Sequence, residues 1–220
     1  TYALDDVKRT MRIAARALCE MEAELTAIDS KLGDGDMGQS MANGGRAILA
    51  CLDEKENEPI SECLTQCALA FNRSAPSTMG TLLSLALKES ARTLEGKAVL
   101  DDRDIAAIPR VFANTIQRYG KANQGDKTIL DALIPFAESV EAEWKKQGSL
   151  DRALALGAEA AHAGLEATRG MEAKMGRARW LRGRNAEYPD GGCERIFYDA
   201  EGKRIKHVLP EYYDSVSYTH

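Results

Sequence analysis

Leu4, Val7, Met11, Ala14, Leu18, Met21, Leu25 and Ile28 recur at alternating spacings of three and four along LDDVKRTMRIAARALCEMEAELTAI, residues 4 to 28. That period puts the apolar side chains on one face of a helix, and it predicts a helix running to the edge of an acidic loop at Asp29. The same reading repeats down the chain. A second apolar pattern follows Gly38 through Met41, Ile48 and Leu52, and a third runs through Ile60, Leu64, Cys67 and Phe71. Thr81 to Leu94 forms another, with Gly96 placed to end it. Further stripes pass through Ile105, Ile108, Phe112, Ile116 and Tyr119, then from Thr128 through Leu133, Val140 and Trp144, then through Leu150, Leu154, Ala158, Ala161 and Leu165. A shorter helix is expected around Met171 to Trp180. Pro109 and Pro135 are expected near first turns or at kinks. Alternating strand patterns are essentially missing before residue 194, so the fold class expected is all-α.

Composition narrows the function. The 220 residues carry a formal charge of -5, which argues against a nucleic-acid surface built from clustered Lys and Arg. No apolar run approaches the roughly 20 residues of a membrane span, and neither a secretory nor a transit segment is visible at the start. Five cysteines, at 19, 51, 63, 67 and 193, form no Cys-x-x-Cys pair; they read as reduced core residues of a cytoplasmic chain. His162, His207 and His220 are too scattered for a metal cluster. After Cys193 the texture changes, with a short hairpin expected around Glu201-Gly202 and an extended tail from Tyr212. This divides the chain into a helical domain, 1–193, and an extension, 194–220.

Chemistry is expected in the Gly-, Asp- and Asn-bearing loops between helices, at 32 to 38, 72 to 80, 120 to 127 and 183 to 193. In Asp29-Ser30-Lys31-Leu32-Gly33-Asp34-Gly35-Asp36-Met37-Gly38, three carboxylates and three of the glycines crowd one helix exit. Two carboxylates about 4 Å apart repel by roughly 4 kcal/mol at an effective dielectric of 20, so a cation is expected there. Oxygen ligands without Cys or His select magnesium or calcium over zinc. The alternative is a turn whose carboxylates cap the next helix. The twelve-position calcium loop ending in a bidentate Glu is absent. So is the common phosphate loop, because Gly96-Lys97 lacks both the upstream Gly and the following Ser or Thr.

Three more segments are weaker taken alone. Gly120 to Thr128 leads into a helix that Asp126 or Thr128 could cap. Met175-Gly176-Arg177-Ala178-Arg179 offers guanidinium groups of the kind that clamp phosphates, although arginines on a helix are usually solvated. Tyr188-Pro189-Asp190-Gly191-Gly192 is a tight turn.

In this order, Asp29 with Gly33 to Gly38, Gly125 to Leu133, Gly176 to Ala178 and Pro189 to Gly191 resemble the nucleotide-binding domain of dihydroxyacetone kinases, over roughly residues 3 to 193. The resemblance implies an antiparallel barrel of about eight amphipathic helices with the active site in loops at one end. It implies two magnesium ions on Asp29, Asp34 and Asp36, bridging the phosphates of ADP or ATP. Met37, Gly38, Gln39 and Ser40 would contact phosphates at a helix start, joined by Thr78 and Met79. Gly120 and Ile129 would border the adenine, Asp190 and Gly191 would close over the nucleotide, and Arg177 would stabilise charge on the transferred group.

This chain departs from the family at three places. Met37 stands where many relatives have His, Pro76-Ser77-Thr78-Met79-Gly80 replaces Gly-Gly-x-Ser-Gly, and Arg179-Trp180-Leu181-Arg182-Gly183-Arg184 replaces Ser-Tyr-Leu-Gly-Glu-Arg. The family's substrate sits on a different domain, so a ketose-binding partner subunit is expected, and a homodimer is compatible with the sequence. The donor is either exchanging ATP or a resident ADP recharged by a phosphoenolpyruvate-dependent carrier. A nucleotide-binding regulatory subunit without its own chemistry is the alternative function, and a helical scaffold with an incidental acidic loop is a third.

Overall fold

The computed structural model describes residues 1–32, 34–54 and 58–175. Among them lie eight helices: α1 (Leu4–Glu20), α2 (Glu22–Leu32), α3 (Met37–Asp53), α4 (Ile60–Ser74), α5 (Thr78–Thr93), α6 (Asp102–Gly120), α7 (Leu130–Gln147) and α8 (Leu150–Ala167). No strand occurs among the described residues, only an isolated antiparallel bridge between Tyr2 and Leu100. Short connections turn each successive helix from α3 onward back along its predecessor, the antiparallel arrangement such links favour. The all-α class and the helical array expected from the apolar period are what the structure has.

Two expectations are corrected. The opening stripe is not one helix: Met21, at φ -83° and ψ 1°, separates α1 from α2. Hydrogen bonds run through the bend, from the Met21 amide to Ala17 and from the Leu25 amide to Met21, so the apolar period passes over it unbroken. No Gly or Pro marks the break; tertiary packing makes it, because α3 crosses both α1 and α2 at close range. A Cβ on Gly38 would overlap the Glu22 carbonyl and Thr26 of α2, while the other end of the same face packs on α1 beside Ala15 and Leu18. The second correction is at Met171 to Met175, which is irregular or bent rather than helical. The remainder of that expected helix, the hairpin and the tail lie outside the described residues.

Both prolines fall inside helices, Pro109 in α6 and Pro135 in α7, rather than in first turns. Pro135 cannot donate to the Asp131 carbonyl four residues earlier, and α8 uses that vacancy: a Cβ on Gly164 would overlap this carbonyl oxygen. Missing donor and missing side chain together allow the close crossing of α7 and α8.

Two main apolar clusters fill the array. One gathers Met21, Leu25, Met41, Ile48, Leu52, Cys63, Cys67 and Phe71 from α2, α3 and α4 and the end of α1. The other gathers Ala113, Ile116, Ala122, Ile129, Leu130, Leu133 and Ile134 around α6 and α7. Each large side chain so buried contributes about 1.5–3 kcal/mol. Cys63 and Cys67 are buried and Cys19 and Cys51 half-buried, all four as free thiols. For Cys67 a hydrogen bond with Cys63, reinforced by burial, raises the pKa and keeps the thiol protonated. The reading as core residues holds for Cys63 and Cys67, while Cys19 and Cys51 are only half-buried; Cys193 lies outside the described residues. No described helix is long and apolar enough to cross a membrane.

Candidate metal and nucleotide site

Because consecutive helices reverse direction, the α2–α3, α4–α5 and α6–α7 connections and the exit of α8 gather at one end of the array. The chemistry-bearing residues in the described part of the chain are at that end.

Asp29, in the last turns of α2, is half-buried; Asp34 and Asp36 are exposed in the four-residue turn that follows. One carboxylate oxygen from each lies within 4.8 Å of the others. Gly35, at φ +75°, provides the left-handed residue that reverses the chain between the two exposed aspartates. Asp29 also accepts the Met37 amide at 3.2 Å, so the same carboxylate fastens the start of α3. All-oxygen donors converging this closely suit a hard divalent cation such as magnesium. The donor set passes that test on geometry as well as on residue type.

The start of α3 adds anion-binding capacity. Its N-cap residue, Asp36, places no side-chain cap on the helix. With the Met37 amide taken by Asp29, the Gly38 and Gln39 amides occupy the second and third helical positions, where α-helices lack internal acceptors. Phosphates bind at such ends. Ser40 differs from its sequence expectation in one respect: its amide bonds to the Asp36 carbonyl at 3.0 Å, so only its hydroxyl remains for a ligand. Gly38 has a second duty in the close packing on α2.

At the start of α5, Ser77 Oγ accepts the Gly80 amide at 3.0 Å. That leaves the Thr78 and Met79 amides in the first helical positions without an acceptor from the helix itself. Met37 and Met79 pack against the same apolar cluster, and each stands in the first turn of a helix that starts at this end of the array. Met79 also packs against the second cluster, beside Leu82 and Ile129. Gly120 ends α6 against Leu82: a Cβ there would come within 3.3 Å of the leucine side chain. Ile129 itself is 6% exposed, so it lies beneath this surface rather than on it. Leu82, half-exposed between Met79 and Gly120, is the apolar side chain the sequence reading missed. Its signal was slight, one turn beyond Thr78 on the same helix face.

The α6–α7 loop is organised from within. Asp131 reaches back from α7 to accept the Gly125 amide at 2.6 Å and the Thr128 amide at 2.8 Å. Thr128 Oγ accepts the Leu130 amide at 3.3 Å. Asp126 does not cap α7: it accepts the Asn123 amide at 2.8 Å and pairs with Lys174 at 3.1 Å. The Asn123 amide and the Lys174 ammonium together hold the Asp126 carboxyl below the usual carboxylate range. Lys121 and Lys127 are the only non-glycine residues at positive φ among the described residues, 52° and 59°, and both are in this loop. Such backbone costs about 1 kcal/mol or more per residue and collects at functional sites. Arg177, Asp190 and Gly191 lie outside the described residues.

Two shallow depressions sit elsewhere, on the flank of the array. One of about 270 Å3 is bordered by Ala47, Cys51, Gln66 and Ala70, and one of about 210 Å3 by Thr65, Lys88 and Arg92. Neither includes the carboxylate cluster or the helix starts beside it.

Comparison with known proteins agrees with the helical fold. The model of the DAK2 domain matches residues 31–202, a range that runs past the boundary drawn at 193. The chain belongs to the DAK2 domain family. It is 31% identical over 189 residues to a dihydroxyacetone kinase of Pichia angusta, covering 82% of this chain and 30% of that protein. To a D-erythrulose kinase of Mycolicibacterium smegmatis it is 33% identical over 192 residues, 86% of this chain and 33% of the relative. The crystal structure of the dihydroxyacetone kinase of C. freundii in its native form aligns at a TM-score of 0.66 and 23% identity, covering 88% of this chain and 33% of that one. The structure of that kinase in complex with AMP-PNP and Mg2+ aligns at 0.61 and 24%, covering 85% and 31%. At that identity the likeness establishes the fold. The chain spans about a third of the length of the relatives it matches.

Proposed function

We propose that this chain is the nucleotide-binding half of a kinase, holding ADP or ATP with two magnesium ions and passing a phosphoryl group to dihydroxyacetone or a related small ketose or polyol held by a separate ketose-binding unit. The observation that carries this reading is the convergence of Asp29, Asp34 and Asp36 within 4.8 Å beside a helix start without a side-chain cap. The kinase names of the relatives and the AMP-PNP and Mg2+ bound by the C. freundii protein support it.

Each residue then has a physical task. Asp29, Asp34 and Asp36 hold magnesium, which when bound neutralises phosphate charge. Asp29 keeps the start of α3 in register with that cluster through the Met37 amide. Gly38 and Gln39 offer backbone donors to phosphate oxygens, Ser40 its hydroxyl, and Thr78 and Met79 the donors of a second helix start. The apolar surface of Met79, Leu82 and Gly120, backed by Ile129, receives the adenine. Arg177 reaches the transferred group and stabilises its charge, and Asp190 and Gly191 close over the nucleotide. Residues 1–193 make up this unit and 194–220 an extension to it. The donor is exchanging ATP or a resident ADP recharged by a phosphoenolpyruvate-dependent carrier.

The test is phosphoryl transfer: the purified chain, magnesium and ATP, or a phosphoenolpyruvate-dependent carrier, are mixed with dihydroxyacetone and a ketose-binding kinase subunit. Formation of dihydroxyacetone phosphate is expected. Nucleotide binding without transfer under either donor would leave the regulatory role in its place.

A further inference from the structure

Lys127 is 2% exposed, which is unusual for a lysine. It holds a left-handed backbone, and its Nζ donates to the Met171 carbonyl at 3.0 Å across 44 residues of sequence. Met171 opens the irregular strap, residues 171 to 175, that leaves α8 and crosses the α6–α7 loop. A second pin lies beside it. The Lys174 amide donates to the Asp126 carbonyl at 3.1 Å, and its ammonium pairs with the Asp126 carboxylate at 3.1 Å. Between the pins Ala173 is buried, and at the strap's end Met175 packs onto the cluster that contains Ile129 and borders Met79 and Leu82. The strap is thus held by its backbone and ends in a half-exposed methionine packed on the same cluster as the apolar surface assigned to adenine.

A buried ammonium must be hydrogen-bonded to be tolerated, and the Met171 carbonyl is one such partner, present only while the strap is docked. We infer that Lys127 is a positioning residue of the nucleotide site: it fixes the strap 171–175 so that Met175 forms one wall of the base subsite. This rests on the nucleotide-binding reading above. Lys127 acts through the strap and does not touch phosphate, so its loss weakens recognition of the base and leaves binding of a bare polyphosphate intact.

Lys127→Met keeps the length and removes the donor. Dissociation constants for ADP and for tripolyphosphate, both in magnesium, are measured by calorimetry on the whole chain, with amide exchange followed at 171 to 175. The expected result is ADP binding weakened about tenfold, tripolyphosphate binding unchanged and faster exchange in the strap. Equal weakening of both ligands, or a loosened strap with ADP affinity unchanged, overturns the inference. Should Lys127→Met fail to fold, Lys174→Ala on the exposed side of the same strap is expected to weaken ADP about twofold to threefold, again with tripolyphosphate unaffected. No base-selective loss there overturns it equally. A wild-type chain that binds neither ligand refutes the nucleotide reading itself, whereas a wild-type chain that binds both with insensitive variants refutes only the positioning role.

Discussion

Asp29 and Asp34 belong to one cluster but carry different loads. Asp29 is half-buried and fastens the Met37 amide; Asp34 is exposed in the acidic loop. Asp34→Asn is expected to weaken magnesium-dependent nucleotide binding by about tenfold or more, with a smaller loss of stability than Asp29→Asn. Asp29→Asn is expected to lose the binding and also about 1 kcal/mol of stability, since its charge-assisted bond to the helix start weakens. Parallel melting and binding curves for the two variants check this, and identical stability losses would remove the distinction. Asp126 gives a prediction in pH. Its hydrogen bond from the Asn123 amide, and then Lys174, lower its pKa, so the folded chain binds that proton more weakly than the unfolded chain does. The stabilisation is fully present above the unfolded value near 3.9 and is lost as pH falls through the lower folded value. NMR titration of the Asp126 carboxyl is expected to give a midpoint below about 3.9; a midpoint at or above it would contradict the strap's second pin.

At the scale of elements, packing is decided where side chains are missing. α8 meets α7 at Gly164, over the carbonyl that Pro135 leaves without a helical donor. Gly164→Ala should cost about 2–3 kcal/mol by overpacking, and because Asp131 also ties down Gly125 and Thr128, the loop should loosen with it. Denaturant unfolding and amide exchange at 123 to 128 measure both, and a neutral substitution would show that the crossing has slack. The helices were legible in the sequence because a period of three and four survives any context that buries one face. The break at Met21 was not, because hydrogen bonds and apolar period both run through it and the cause is the crossing of α3. Nor was the irregular course of Met171 to Met175, the first half of the expected last helix: Ala173 and Met175 are apolar at plausible spacing, yet the Lys174 amide bonds to Asp126 and the Met171 carbonyl accepts from Lys127.

At the scale of the molecule, reversal of direction from helix to helix turns scattered motifs into a site. Asp29, Thr78 and Gly120 are far apart in the chain, but each sits at a helix end, and the fold carries those ends to one side. The acidic cluster was legible for a local reason: its three carboxylates are close in sequence, and their mutual repulsion is what suggests a cation. The proposed base surface was legible only in part, through Gly120 and Ile129, because the places of Leu82 and Met175 on the same cluster emerge only once the helices and the strap have met. The most direct measurement is calorimetric titration of ADP and ATP into the whole chain, with magnesium and again with a chelator. Saturable binding in magnesium that disappears with the chelator, and is lost in Asp34→Asn, is the predicted result. Nucleotide binding indifferent to magnesium, or none in its presence, would contradict the metal and nucleotide site and return Asp29, Asp34 and Asp36 to the role of a solvated turn.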